Sequence, residues 1–223
     1  MKSEFTDPVR TEEGVLVLGW KNLFVTIGRE IFTLIKANLC FLLFSIPVVT
    51  MPAALCALHG VCVDVARGHE CRVLHSFLHT IKSRFLQTLA AFLLIGLLEF
   101  TAVYGAWFYF AHSSENWLFL LMALFMSGVA VIACLMYSPC YTMLARVDLT
   151  FWKALKNSFL LTFLNLKFSI CGGVITIAAA VFCILFWLRV IPLLLLCAFS
   201  LVIFITTYFS LFGLQKYVLT EPL

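Results

Sequence analysis

The sequence predicts an all-α protein: a polytopic transmembrane helical bundle with five full spans plus a short proline-broken membrane segment. The first observation is composition. Of 223 residues, 63% are hydrophobic and 12% are charged, and the mean hydropathy is +1.07. In soluble domains roughly a quarter of all residues are charged, so the bilayer is the better solvent for this surface. The second observation is length, because five apolar stretches approach or exceed the ~20 residues that cross the hydrocarbon core.

The predicted spans follow these apolar stretches in chain order. They are Ile31–Val49, Leu86–Ala111, Trp117–Ser138, Phe168–Leu188 and Val190–Leu214. A sixth stretch, Ala53–Ala66, is too short to cross comfortably and follows a break that contains Pro47, Thr50 and Pro52. Each proline removes a helical hydrogen bond and clashes with the preceding turn. We therefore expect either one kinked crossing or a hairpin that turns at Pro47–Pro52, and we favour the hairpin.

Two connecting segments concentrate the basic residues. They contain Arg67, Arg72, Lys82, Arg84, Arg146, Lys153, Lys156 and Lys167, whereas the connection His112–Asn116 contains no Lys or Arg. The positive-inside rule places both segments in the cytoplasm. Residues 215–223 then form a cytoplasmic tail. With the hairpin, residues 1–30 form a cytoplasmic or interfacial amphipathic segment, and residues 31–214 form the bundle; a single crossing would put the N-terminus outside.

The same eight cations also suggest a role at the membrane surface. A Lys or Arg close to an anionic leaflet gains about 1 kcal/mol from the headgroups. Contact with lipid headgroups therefore suffices to explain these residues, and a docking surface for a cytoplasmic protein is the alternative. The positions of the cations favour a membrane role, so we expect no nucleic-acid partner.

Glu99 is the main intramembrane polar candidate, because it lies near the middle of the predicted span Leu86–Ala111. A carboxylate at this depth costs about 2.5 kcal/mol or more, so it should face the bundle interior and find a partner. It could relay a proton or cation, or anchor a partner subunit. Alternatively, a protonated Glu99 hydrogen-bonds Thr101, Thr176, Thr206 or a backbone carbonyl.

A short His/Cys string is the one candidate for a metal site. His75 and His79 are one helical turn apart, which is a spacing that two imidazole ligands can use, and Cys71 could add a thiolate. Such loose patterns are often accidental, and histidines in a basic segment are commonly solvated. We therefore expect no cofactor.

Several segments resemble the YesL family of membrane proteins from Gram-positive bacteria. The closest are Asn38–Leu39, Phe44–Thr50 and Pro52–Leu58, and the pattern continues through Phe77, Lys82, Phe85, Tyr137–Pro139 and Leu155–Ser158. The family is a domain of unknown function, often encoded beside carbohydrate-uptake transporters, sensor kinases and glycoside-degrading enzymes. The resemblance implies a multi-pass protein of the cell membrane, with membrane components of an ABC-type sugar transporter or a sensor kinase as partners. It implies no catalytic residues.

The sequence contains no nucleophile elbow, phosphate-binding loop or intramembrane HExxH motif. We therefore expect a non-enzymatic accessory or assembly protein associated with a carbohydrate transport system. The alternative is a small transporter or channel with Glu99 in the pathway. An enzyme ranks third, since it would need a site such as the His/Cys string.

Overall fold

The structure is a computed structural model that describes residues 20–69, 72–114, 116–147, 150–185 and 197–217. These residues form seven α-helices and one short 3-10 helix and contain no β-strand, which confirms the all-α class. The helices are α1 (Trp20–Ser45), the 3-10 helix (Val48–Thr50), α2 (Met51–Ala66), α3 (Val73–Ala111), α4 (Trp117–Arg146), α5 (Phe151–Leu164), α6 (Leu166–Leu185) and α7 (Phe199–Tyr217).

Among the described residues, three helical segments are long and apolar enough to cross a membrane. They are Val48–Ala66, Val73–Ala111 and Trp117–Arg146. Helices α5 and α6 qualify only as a pair, bent by 99° at their junction, so they form either a broken span or a re-entrant loop. The described residues therefore contain three or four candidate spans, fewer than the five full spans predicted from the sequence.

The predicted and observed spans differ for local reasons. Helix α1 ends at Ser45, and its apolar part after Glu30 is shorter than the ~20 residues needed. The segment Ala53–Ala66, predicted to be too short to cross, is extended at its N-terminal end by the 3-10 turn. The combined segment Val48–Ala66 has 19 residues and is long enough to span. The predicted span Phe168–Leu188 falls on α6 as far as Leu185, and its last three residues lie outside the described residues. Val190–Leu214 lies partly outside the described residues, and its described part is a shorter apolar helix, Phe199–Leu211.

Helices α1 and α2 form an antiparallel hairpin. Leu23 and Phe41, which lie near opposite ends of α1, both belong to the buried cluster built around α2. Gly68 follows α2 and has a φ of +68°, a left-handed conformation that favours glycine. A Cβ added there would lie 3.6 Å from Nη2 of Arg29 on α1. The chain therefore reverses at the proline-rich break, as the hairpin interpretation expected.

One side chain, that of Thr50, adds hydrogen bonds to the backbone at the break. The Thr50 hydroxyl lies 2.6 Å from the carbonyl oxygen of Phe44 and 2.8 Å from that of Pro47, and it donates to these acceptors. The Thr50 amide also donates to the Pro47 carbonyl, at 3.0 Å. Val48 and Val49 are exposed, so the turn lies at the edge of the bundle.

Helix α2 is the centre of the bundle. Of its membrane-crossing window 67% is buried, compared with 17% for α3 and for α4. It packs against α1, α3, α4 and α7. Its small residues Ala53, Ala54, Ala57 and Gly60 let the neighbouring backbones approach closely. The side chains of α2 therefore meet other helices, whereas much of α3 and α4 is left to face lipid or another protein.

Candidate functional site

His59 is a buried histidine near the middle of α2, with only 4% of its surface exposed. Its Nδ1 lies 2.8 Å from Oγ1 of Thr207 on α7 and 3.5 Å from Oγ1 of Thr142 on α4. The Tyr141 ring stacks on the imidazole with centroids 5.7 Å apart. Three helices thus fix the position of this ring. Sequence reasoning missed His59, although an ionisable residue within a membrane segment is itself a signal of function.

A cavity of about 660 Å³ adjoins His59 and lies between α2, α4, α6 and α7. Most of its wall is apolar, including Leu55, Phe168 and Phe182, and a few hydroxyl groups add polarity. Those of Ser138 and Ser210 hydrogen-bond each other at 2.9 Å. Cavities of roughly 300–1,000 Å³ with apolar walls and few polar groups are typical of small-molecule sites.

Two glycines of α6 shape the wall of this cavity. A Cβ added at Gly172 would lie 3.7 Å from Cγ2 of Thr206 on α7. A Cβ at Gly173 would lie 2.5 Å from Cδ2 of Leu135 on α4, which is an overlap. The paired glycines therefore allow α6 to approach both neighbours.

A second polar arrangement joins α2, α3 and α4 beyond the cavity. Nε of Arg146 donates to Oδ1 of Asp64 at 2.8 Å, and Nη2 donates to Oδ2 of the same carboxylate. Nη2 also donates to Oγ of Ser76 on α3 at 3.1 Å. Gly60 makes room for the guanidinium, because a Cβ there would lie 3.2 Å from Cζ of Arg146.

Arg67 lies next to this ion pair, directly after α2. Its Nε is buried and has no hydrogen-bond partner within the described part of the chain. Burial lowers the pKa of the Arg67 guanidinium, and the nearby Asp64 carboxylate opposes that shift. The sequence grouped Arg67 and Arg146 with the headgroup-binding cations, whereas the geometry gives Arg146 a partner inside the bundle.

The other basic candidates lie on the surface or near it. Arg84 is half-buried and lies 3.4 Å from Gln87 through Nη1 and Oε1. The exposed members are Arg72, Lys82, Lys153, Lys156 and Lys167. These five side chains are free to meet headgroups, so that role stays a prediction for them.

Glu99 lies on the face of α3 that is turned towards α4. Ile95 and Ala102, one turn to either side, are buried, whereas Glu99 is only partly buried. The carboxyl group is close enough to Cys134 and Tyr137 of α4 to interact electrostatically. Across the described ranges, it forms no hydrogen bond or ion pair.

The hydroxyl groups expected as partners of Glu99 bond elsewhere. Thr101 donates to the carbonyl oxygens of Leu97 and Leu98, at 2.9 and 3.0 Å. Thr176 donates to Gly172, and Thr206 donates to Ile203, both at 3.0 Å. The structure therefore leaves the hydrogen-bonding capacity of the Glu99 carboxyl unused within the described chain.

The candidate metal ligands are only partly described. The rings of His75 and His79 stack with centroids 6.4 Å apart, and Cys71 lies outside the described residues. No group of three or more His, Cys, Asp or Glu side chains within the described segments is arranged to hold a metal ion. The two histidines thus have no third ligand there.

Comparison with protein families gives one match. The profile of a family described as "Protein of unknown function, DUF624" matches residues 34–106, about a third of the chain. That region contains the hairpin break, all of α2 and most of α3, including Glu99. No curated protein matches the chain. No solved structure matches it either.

Proposed function

We propose that this chain is a non-enzymatic accessory or assembly protein of the cell membrane that works beside a carbohydrate transport system. The observation that carries the proposal is the Glu99 carboxyl, which lies in a membrane-spanning helix without a hydrogen bond from the described chain. An unpartnered carboxyl in hydrocarbon costs about 2.5 kcal/mol or more. A hydrogen-bond donor on a helix of another protein would remove that cost.

The surroundings of Glu99 suit a partner helix. Val103, one helical turn after Glu99, and Phe100, the next residue, are more than half exposed, so apolar surface lies beside the carboxyl group. Helices associate in lipid through close packing together with a few interhelical hydrogen bonds. Apolar contacts along α3 and one donor opposite Glu99 would supply both.

The choice of partner rests on the resemblance of the sequence to the YesL family. The matched region includes Glu99 and the Pro47–Pro52 break, and the chain resembles proteins that are often encoded beside sugar transporters and sensor kinases. The partners that we propose are the membrane subunits of an ABC-type sugar transporter or of a sensor kinase. Glu99 does not line the cavity beside His59, so that cavity does not favour a channel with Glu99 in its path.

Co-purification in mild detergent tests the proposal. The tagged chain is expressed with membrane subunits of sugar transporters and sensor kinases from the same organism, and the retained subunits are quantified. We expect a stable complex that Glu99→Gln weakens, because the neutral amide changes the hydrogen bond but not the size of the side chain. Thr101→Val on the same helix is the matched control, because its hydroxyl bonds only within α3. Recovery of the wild-type chain only as a monomer or homo-oligomer would refute the proposal.

A further inference from the structure

We propose that the cavity beside His59 binds a neutral hydrophobic molecule that carries one hydroxyl or carbonyl group. This inference stands on the geometry of α2, α4, α6 and α7 and is independent of the proposed function. The cavity has a long apolar wall, a few hydroxyl groups and the buried imidazole of His59, which can form a directed hydrogen bond. These features define the chemistry of the ligand.

The polar end of the site is the outer nitrogen of His59. Both hydrogen bonds of the imidazole within the described chain, to Thr207 and to Thr142, use Nδ1. Nε2 therefore has no partner among the described residues, although the side chain is 4% exposed and lines the cavity. A polar nitrogen that faces an apolar cavity without a partner is unfavourable, and a ligand oxygen would remove that penalty.

The tautomer of His59 decides which oxygen it can bind. When Thr207 donates to Nδ1, Nε2 carries the proton and donates to a carbonyl or hydroxyl oxygen. When Nδ1 donates to Thr207, Nε2 is an acceptor, and only a hydroxyl group can satisfy it. A hydroxyl group fits both arrangements, so an alcohol is the most informative probe.

The depth of the site argues against a charged ligand. His59 lies well inside Val48–Ala66, so its nitrogen is far from either membrane surface. A charged group is strongly disfavoured at the centre of the bilayer, whereas phospholipid headgroups stay in the interface. A phospholipid could place an acyl chain in the cavity, but its phosphate could not reach His59.

The rest of the ligand is hydrocarbon. Leu55, Phe168, Ala179 and Phe199 line the cavity, and they present surfaces against which an aliphatic chain or a flat ring packs. The hydroxyl groups of Thr176 and Thr206 are already bound to backbone carbonyls of their own helices. The Ser169 hydroxyl also lines the cavity, but His59 is the more deeply buried of the two and supplies the directed contact at the cavity's inner end.

Photolabelling of the full-length chain in nanodiscs tests the site. The probes are hexadecanol and hexadecane that carry the same diazirine at mid-chain, and excess unlabelled hexadecanol is the competitor. We expect competable labelling of α6 and α7 by the alcohol at about fivefold the level of the alkane, because one hydrogen bond is worth about 1 kcal/mol. His59→Phe should reduce alcohol labelling to the level of the alkane.

Two adjacent alanines of α6 provide the matched variants. Ala179 lines the cavity, whereas Ala178 is exposed and does not. Ala179→Trp should fill the cavity and abolish labelling, and Ala178→Trp should leave it unchanged. This pair leaves His59 in place, so it decides the outcome even if His59→Phe fails to fold.

Equal labelling by the alcohol and the alkane would overturn the proposal, because it would show an apolar crevice filled by bulk lipid. Equal effects of Ala178→Trp and Ala179→Trp would also overturn it, since the probe would then bind elsewhere.

Discussion

The ion pair between Asp64 and Arg146 gives the sharpest test of the packing. It joins α2 to α4 across 82 residues of sequence, with Nε of Arg146 2.8 Å from Oδ1 of Asp64. The side chains are 24% and 21% exposed, so the pair is partly shielded from water. We expect Asp64→Asn and Arg146→Gln to lower the free energy of unfolding.

The expected size follows from the bonds that each change breaks. Breaking a fully buried pair costs about 3–5 kcal/mol, and the partial exposure here reduces that range. Asp64→Asn should cost about 2 kcal/mol, because Arg146 keeps its bonds to Ser76 and to the Ala145 carbonyl. Arg146→Gln should cost about 3 kcal/mol, because it removes the bidentate partner of the Asp64 carboxylate.

The double variant separates pairing from the other effects of each change. We expect Asp64→Asn with Arg146→Gln to cost about 3 kcal/mol, below the sum of about 5, which is a coupling of about 2 kcal/mol. The assay is unfolding in mixed micelles by a denaturing detergent, followed by tryptophan fluorescence. Lys153→Gln, at an exposed residue on α5, is the control and should change stability by less than about 0.5 kcal/mol. Additivity of Asp64→Asn and Arg146→Gln within about 0.5 kcal/mol would refute the pairing.

Three further changes test other parts of the structure. Gly96→Ala should raise the free energy of unfolding by up to ~1 kcal/mol, because alanine has the higher helix propensity and a Cβ at Gly96 meets open space. Gly60→Ala should not give this gain, because a Cβ there meets the Arg146 guanidinium. Equal gains in the micelle assay would contradict this contact. Thr207→Val should cost about 1–3 kcal/mol in the same assay, since the buried imidazole loses its 2.8 Å hydrogen bond; a neutral result would contradict that bond. In a cysteine-free background, an impermeant maleimide should label Ser114→Cys from outside and Lys153→Cys only after permeabilisation, and the reverse pattern would contradict the predicted orientation.

Local patterns in the sequence predict the outer helices well. The predicted segment Leu86–Ala111 and helix α3 end at the same residue, and the predicted segment Trp117–Ser138 and helix α4 begin at the same residue. The five residues between them are polar enough to stop both helices. The Asn116 side chain accepts a hydrogen bond from the amide of Leu118 at 3.1 Å and caps α4.

The centre of the bundle is harder to predict from the sequence. Helix α2 follows a break and looks too short to span, yet it is the most buried of the three spans. Helix α2 is buried because it packs against helices that are distant from it in sequence. Thr207 lies 148 residues after His59, and Arg146 lies 82 residues after Asp64. The periodicity of apolar residues within one helix cannot predict contacts between residues so far apart in sequence.

A stack of aromatic rings connects the two proposed sites. Glu99 is near Tyr137, whose ring stacks on Tyr141 at 5.1 Å, and Tyr141 stacks on His59. Spatial continuity alone does not couple two sites, because coupling needs an element with two arrangements that each site favours differently. Tyr141 is fully buried against Cys56 and its neighbours, and close packing leaves its ring no second position.

We therefore expect Glu99→Gln to weaken partner retention without changing hexadecanol labelling at the cavity. A change in labelling of more than about threefold, roughly 0.6 kcal/mol, would show that the stack has a second arrangement. The two sites would then be coupled, and binding of the partner on α3 would change the affinity of the cavity for its ligand.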